Sequence, residues 1–232
     1  MKPLRLLSLL FLTLVSCTET SVRNFWDSRS IDYSDIRTAE DQFADFAELA
    51  VAAPEADALA ALDVLFDKLK QDTVACYLYA EWVDMAFYSP FSPCRNAALY
   101  SKAVDRMVED GVLTLSDCEP FLQKRDWILY NVEGGKATVP GISSFDTRTL
   151  VLVLDLGCPS CREALEKLAA APEWSGLPKI AVCLGQGPRP TVPGWEYLFP
   201  EQGSAVFDIQ LTPIYFIIAA DGTVERGYAL AK

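Results

Sequence analysis

Residues Thr149 to Leu156 read TLVLVLDL, a run that is apolar from Leu150 to Leu154 and ends one glycine before Cys158-Pro159-Ser160-Cys161. A strand with no polar side is covered on both faces, and such strands belong to α/β sheets. The remainder of the chain keeps to that pattern. Pro159 to Ala171 reads as a helix and Lys179 to Leu184 as a second strand. Ile214 to Ala219 is a third strand, and Asp221-Gly222 turns the chain into a fourth at Thr223 to Tyr228. Residues 185 to 204 are rich in glycine and proline and are expected to be mostly irregular.

Ahead of Gly134-Gly135 the periodicity is helical. Thr38 to Asp41 resembles a capping box, followed by Phe43, Phe46, Ala47 and Ala50 on one face. Pro54 ends that helix and suits the first turn of the next, which carries Leu59, Leu62, Phe66 and Leu69. A third is expected over Thr73 to Phe87, with Leu78, Trp82 and Met85 inward, and Ser89-Pro90-Phe91-Ser92-Pro93 stops it. Two more helices are expected, from Asn96 to Asp110 and from Ser116 to Asn131, the last with a capping box of Ser116 and Glu119. Five helices at this spacing suggest a small bundle. The expected architecture is therefore an all-helical bundle followed by a short α/β domain. Its parts are a leader at 1–17, a linker at 18–36 that docks through Phe25 and Trp26, a helical domain at 37–133, a connector at 134–148 and the α/β domain at 149–232.

The leader has a basic start (Lys2, Arg5), an apolar stretch from Leu6 to Val15 and a small residue before Cys17, the pattern of a secretory signal. The stretch is too short for a membrane-spanning helix. Leu14-Val15-Ser16-Cys17 also resembles the lipobox of bacterial lipoproteins, which implies lipidation of Cys17 and an acyl tether to a membrane of the cell envelope, facing the periplasm or cell surface. That compartment is one where disulfides form and exchange. The net charge is −12, with no basic run to neutralise phosphates, so nucleic acid is not an expected partner. The chain has no histidine, which removes Ser-His-Asp and Cys-His nucleophiles and the imidazole ligands of zinc and haem.

Cys-x-x-Cys opening a helix after a buried strand suits thiol–disulfide exchange. Two intervening residues let the sulfurs meet, and the first sulfur sits where unpaired N–H groups and the helix dipole favour a thiolate. Cys158 is then the nucleophile and Cys161 the resolving thiol, with Arg162 a possible electrostatic aid. A static disulfide and half of a zinc site remain open alternatives. The zinc reading lacks a second pair of ligands, since Cys76, Cys94, Cys118 and Cys183 are scattered singly.

With Thr212-Pro213 directly before the third strand, Leu150 to Tyr228 resembles the thioredoxin-like family. The resemblance implies a cis Pro213 beside the dithiol and a substrate peptide pairing with the backbone of Thr212, with no cofactor and no metal. Implied partners are protein thiol or disulfide substrates and a redox partner protein. Phe25-Trp26-Asp27, Ser92-Pro93-Cys94-Arg95-Asn96 with Leu99-Tyr100, and Gly135-Lys136-Ala137 resemble an uncharacterised domain that precedes thioredoxin-like domains in bacterial lipoproteins.

The sequence also departs from that family. Leu152 stands where a buried acid usually serves the resolving cysteine, and Asp155, three residues before Cys158, is either a substitute for it or simply exposed. The segment before Thr212 leaves little room for a usual helix, as do the residues after Tyr228. A sheet face left bare is expected to be covered by the bundle. Cys76 and Cys183 read as buried thiols, Cys94 and Cys118 as a possible bridge, and Trp195 and Tyr197 as a possible surface near the dithiol. The leading expectation is an envelope thiol–disulfide oxidoreductase. The alternatives are a non-enzymatic interaction module on a degenerate scaffold with a structural disulfide, and soft-metal binding by the dithiol.

Overall fold

The computed structural model describes residues 21–230; Cys17 and the leader lie outside the described residues. Five helices come first: α1 (Ile36–Ala52), α2 (Glu55–Leu69), α3 (Thr73–Val83), α4 (Ala97–Glu109) and α5 (Leu115–Leu129). They enclose a core in which Phe25 and Trp26 of the entering segment are buried against Phe46. Aromatic contacts continue through Phe43, Tyr79 and Trp82. Arg106 on α4 binds Asp63 and Asp67 of α2 and Asp110 of its own helix, at 2.6, 2.9 and 3.0 Å.

Three local expectations are corrected. Helix α1 starts earlier, because Asp35 takes the Thr38 N–H and hydroxyl and so caps Ile36. Helix α5 is likewise closed two residues earlier, by a reciprocal box of Thr114 and Asp117 in place of Ser116 and Glu119. The third helix does not run evenly to Phe87. At Asp84–Tyr88 it widens into a π-helical turn, closed by Ser89 N–H donating to the Asp84 carbonyl. Met85 is 52% exposed instead of packing inward, because helical spacing sets it on the face of exposed Val74 and Glu81, opposite buried Tyr79, Ala80 and Val83.

The sheet has five strands: β1 (Thr149–Asp155), β2 (Lys179–Leu184), β3 (Glu196–Leu198), β4 (Ile214–Ile218) and β5 (Val224–Leu230), in the order β3-β2-β1-β4-β5. The first three run parallel, and β4 and β5 are antiparallel to their neighbours. Residues 185–204 are mostly irregular, as expected, with strand β3 as an addition within them. Three residues carry too little periodicity to be seen in sequence, and register with Ile180–Val182 makes them a strand.

The central strands are buried on both faces, as the apolar runs require. Leu150, Leu152 and Leu154 face helix α6 (Pro159–Ala170), while Val151 and Val153 face the opposite way. No long helix covers that second face. Val206 and Phe207, between two short 3-10 turns ahead of Thr212, cover it together with Val139, Ile142 and Phe145 of the connector. The bundle then packs on this layer. Leu211 touches both cores, Trp127 Nε1 donates to the Ser204 carbonyl at 2.8 Å, and the Tyr228 hydroxyl donates to the Trp127 carbonyl at 2.6 Å. Among the described residues no helix is long and apolar enough to cross a membrane.

Candidate functional site: the Cys158–Cys161 dithiol

Strand β1 ends at Asp155, and a tight turn carries the chain into α6. Cys158 is the N-cap of that helix, in extended conformation, and Pro159 fills the first helical position, where no N–H is needed. This geometry leaves the N–H groups of Ser160 and Cys161 facing the Cys158 sulfur. The Ser160 hydroxyl lies 2.9 Å from it. Cys158 is partly exposed, whereas Cys161 is fully buried one turn further on.

The two thiols are driven apart in acidity. Burial opposes ionisation of Cys158, but hydrogen bonds from the Ser160 hydroxyl, the Cys161 thiol and the two backbone N–H groups outweigh it, so its pKa falls below the ordinary thiol value. Burial, reinforced by the neighbouring Cys158 sulfur, pushes Cys161 up to about 11. The arrangement can therefore present one nucleophilic sulfur to solvent and hold a protonated one beneath it. Ser160 was not among the sequence-derived site residues. A hydroxyl two residues from a helix-capping cysteine is the signal that would have found it. Arg162 is exposed beside Cys158 and is not among the leading influences on it.

The chain returns to the site at Thr212-Pro213, whose peptide bond is cis. The Thr212 hydroxyl donates to the Ile209 carbonyl at 2.7 Å and lies within reach of the Cys161 sulfur. The fold thus brings together all four residues of the motif-based site: Cys158, Cys161, Thr212 and Pro213.

Asp155 cannot take the part of the buried acid. Strand alternation puts it on the face away from α6, where its carboxylate accepts the Gly157 N–H at 2.9 Å and only its backbone N–H reaches Cys161 Sγ, at 3.4 Å. Leu152, fully buried, occupies the Cys161 side. Trp195 is also corrected. It is a buried member of the α6-side core, whereas Tyr197 is half-buried with its hydroxyl donating to the Val192 carbonyl at 2.7 Å. Cys94 and Cys118 are free buried thiols, and the cysteine on which Cys118 acts electrostatically is Cys76. Among the described residues no three Cys, Asp or Glu side chains converge as a metal site requires.

With this geometry established, one solved structure aligns over most of the molecule. It is a thioredoxin-like protein from Bacteroides caccae, matched with a TM-score of 0.70 at 18% identity over 90% of this chain and 87% of that one. The chain has a thioredoxin-like fold. No protein-family model matches the sequence, and no curated protein matches it.

Proposed function

We propose that this protein is a thiol–disulfide oxidoreductase of the bacterial envelope, tethered through a lipidated Cys17 and exchanging disulfides with protein thiols. The observation that carries the reading is the divided acidity of the pair: a helix-capping, partly exposed Cys158 with lowered pKa above a buried Cys161 raised to about 11. A structural disulfide needs no such asymmetry. Attack on disulfides requires a thiolate that is accessible and a second thiol kept in reserve.

In the reducing direction, the Cys158 thiolate attacks one sulfur of the substrate disulfide. A Cys158–substrate bond forms, and the other substrate sulfur leaves as a thiolate that takes up a proton. Cys161 then loses its proton and attacks Cys158 Sγ. The mixed disulfide breaks, the substrate leaves as its second thiol, and the protein has lost the two electrons that the substrate gained. Leu152 gives the buried thiol no carboxylate to receive its proton, so the departing substrate thiolate is the acceptor at hand. Thr212, beside Cys161, offers its backbone to the substrate peptide. Oxidation of substrates is the same sequence reversed, and the redox partner sets the direction.

The test is to replace Cys161 with serine and look for mixed disulfides through Cys158 in cells. Trapped partners that vanish on reduction are expected. An absence of trapped species, together with a reduction potential below about −300 mV, would mark a structural disulfide and sink the proposal; exchange catalysts lie between about −120 and −270 mV.

A further inference from the structure

The helical half carries an open apolar groove that the exchange chemistry leaves unused. Met85, in the π turn at Asp84–Tyr88, is exposed, and the Ser89–Pro93 segment presents Phe91, 73% exposed. Two hollows meet at Met85 and Ser92. One, of about 300 Å³, has Phe43, Ala47 and Trp82 in its walls. The other, of about 600 Å³, lies between Phe91 and the Gln210–Leu211 pair. Leu211 immediately precedes Thr212 in the chain, so the second hollow borders the turn that leads into Thr212.

Its charge is one-sided. Glu40, Ala44 and Glu48 recur every fourth residue on α1, which places both carboxylates along the first hollow, about 12 Å apart at 1.5 Å per residue. Both are exposed, and among the described residues neither has an ion-pair partner. The two acids of the second hollow are already engaged. Asp84 binds Lys124 and the Tyr100 hydroxyl, and Asp208 binds the Tyr88 hydroxyl. The unspent charge therefore sits at the end of the groove remote from Thr212. An exposed apolar strip with acidic margins repels anionic surfaces and complements a polypeptide that carries apolar side chains and a lysine or arginine.

We propose that this groove holds the polypeptide flanking the substrate cysteine and selects apolar segments bearing a lysine or arginine. The inference rests on the oxidoreductase reading and names the class of substrate for it. The cysteine lies at Cys158 and Thr212, the apolar side chains lie against Leu211, Phe91 and Met85, and the cationic residue reaches Glu40 and Glu48.

The probes are two synthetic cysteine peptides, each as its mixed disulfide with thionitrobenzoate. They share apolar residues on one side of the cysteine and differ in carrying lysines or glutamates beyond them. Dithiothreitol re-reduces the protein, and the readout is the ratio of kcat/KM for the lysine peptide to that for the glutamate peptide. Wild type favours the lysine peptide, and the preference weakens as salt is raised. In Glu40→Gln/Glu48→Gln the ratio falls about fivefold, as expected from two exposed charge pairs. In Phe91→Ser both peptides lose about tenfold, as expected from a partly buried aromatic contact.

Ratios equal in wild type and the glutamine variant, or an undiminished rate in Phe91→Ser, would overturn the groove. Failure of wild type to reduce the symmetrical nitrobenzoate disulfide, too small to reach the groove, would instead overturn the oxidoreductase reading. In that event, equal binding of the serine versions of the two peptides would overturn the groove as well.

Discussion

The Tyr88 hydroxyl donates a buried 2.8 Å hydrogen bond to the carboxylate of Asp208, joining the helical half to the sheet half across 120 residues of sequence. Asp208 also accepts the Gln210 N–H at 2.9 Å and so caps the turn Ile209–Leu211. The Ile209 carbonyl of that turn holds the Thr212 hydroxyl beside Cys161. The π turn of the bundle thus braces the loop that completes the dithiol site.

Tyr88→Phe removes one partner from a buried carboxylate, and a loss of about 1–3 kcal/mol is expected in urea unfolding. It should also shift the reduction potential of the Cys158–Cys161 pair, because the turn that positions Thr212 is loosened. Tyr100→Phe, which removes a hydroxyl bonded to Asp84 within the bundle, serves as the control. A potential that moves equally in both variants, or in neither, would show that the brace does not reach the thiols.

Ser160→Ala should raise the pKa of Cys158, since the hydroxyl is the largest of the influences that lower it. Alkylation of the reduced protein by iodoacetamide near neutral pH is expected to slow by about tenfold, in line with the loss of one hydrogen bond to a charged group. The pH–rate profile measures this directly. In wild type, Cys158 reacts first and Cys161 is modified only as pH approaches about 11.

Gly187 packs on the turn that delivers Cys158. A Cβ there would overlap the backbone carbonyl of Leu156, which has no room to withdraw between β1 and the dithiol helix. Gly187→Ala is expected to cost about 1–3 kcal/mol and to alter Cys158 alkylation together with thermal stability. Unchanged melting and reactivity would mean that the 185–190 loop yields more easily than its packing implies.

Arg106 holds three carboxylates together in the bundle, with only 10% of its side chain exposed. Arg106→Leu leaves like charges facing one another, at a cost of about 2–4 kcal/mol near pH 7. Burial resists ionisation of Asp63, but Lys102 and Arg106 outweigh it and lower its pKa; hydrogen bonds from Lys70 and Arg106 lower that of Asp67. A lowered carboxylate pKa contributes stability above the unfolded value of 3.8 and loses it as pH falls through the folded value. The gap between wild type and variant should therefore narrow below about pH 4. Urea midpoints from pH 7 to pH 2 would reveal a constant gap if the cluster contributes nothing electrostatic.

Much of this was readable from local order. Apolar runs at Thr149–Asp155, Lys179–Leu184 and Ile214–Ile218 determine strands because a chain with no polar face has to be covered on both sides. Cys158-Pro159-Ser160-Cys161 determines a helix start because proline at the first helical position needs no N–H and presets the helical φ. The docking of Phe25 and Trp26 was equally plain, since two large rings beside a helical bundle are stable only when buried.

What the sequence left open depends on partners distant along the chain. Strand β3 exists only by register with β2, and which cap begins α1 or α5 is decided among neighbouring candidates by which one closes the first turn in its packed position. Asp155 is disqualified as an acid for Cys161 by one step of strand alternation. Local composition determined the elements and the reactive pair, because strand burial and helix capping act within a few residues. Only the tertiary structure joined Tyr88 to Asp208, set Thr212 over Cys161 and opened the groove beside them, because those contacts arise when surfaces far apart in sequence are packed together.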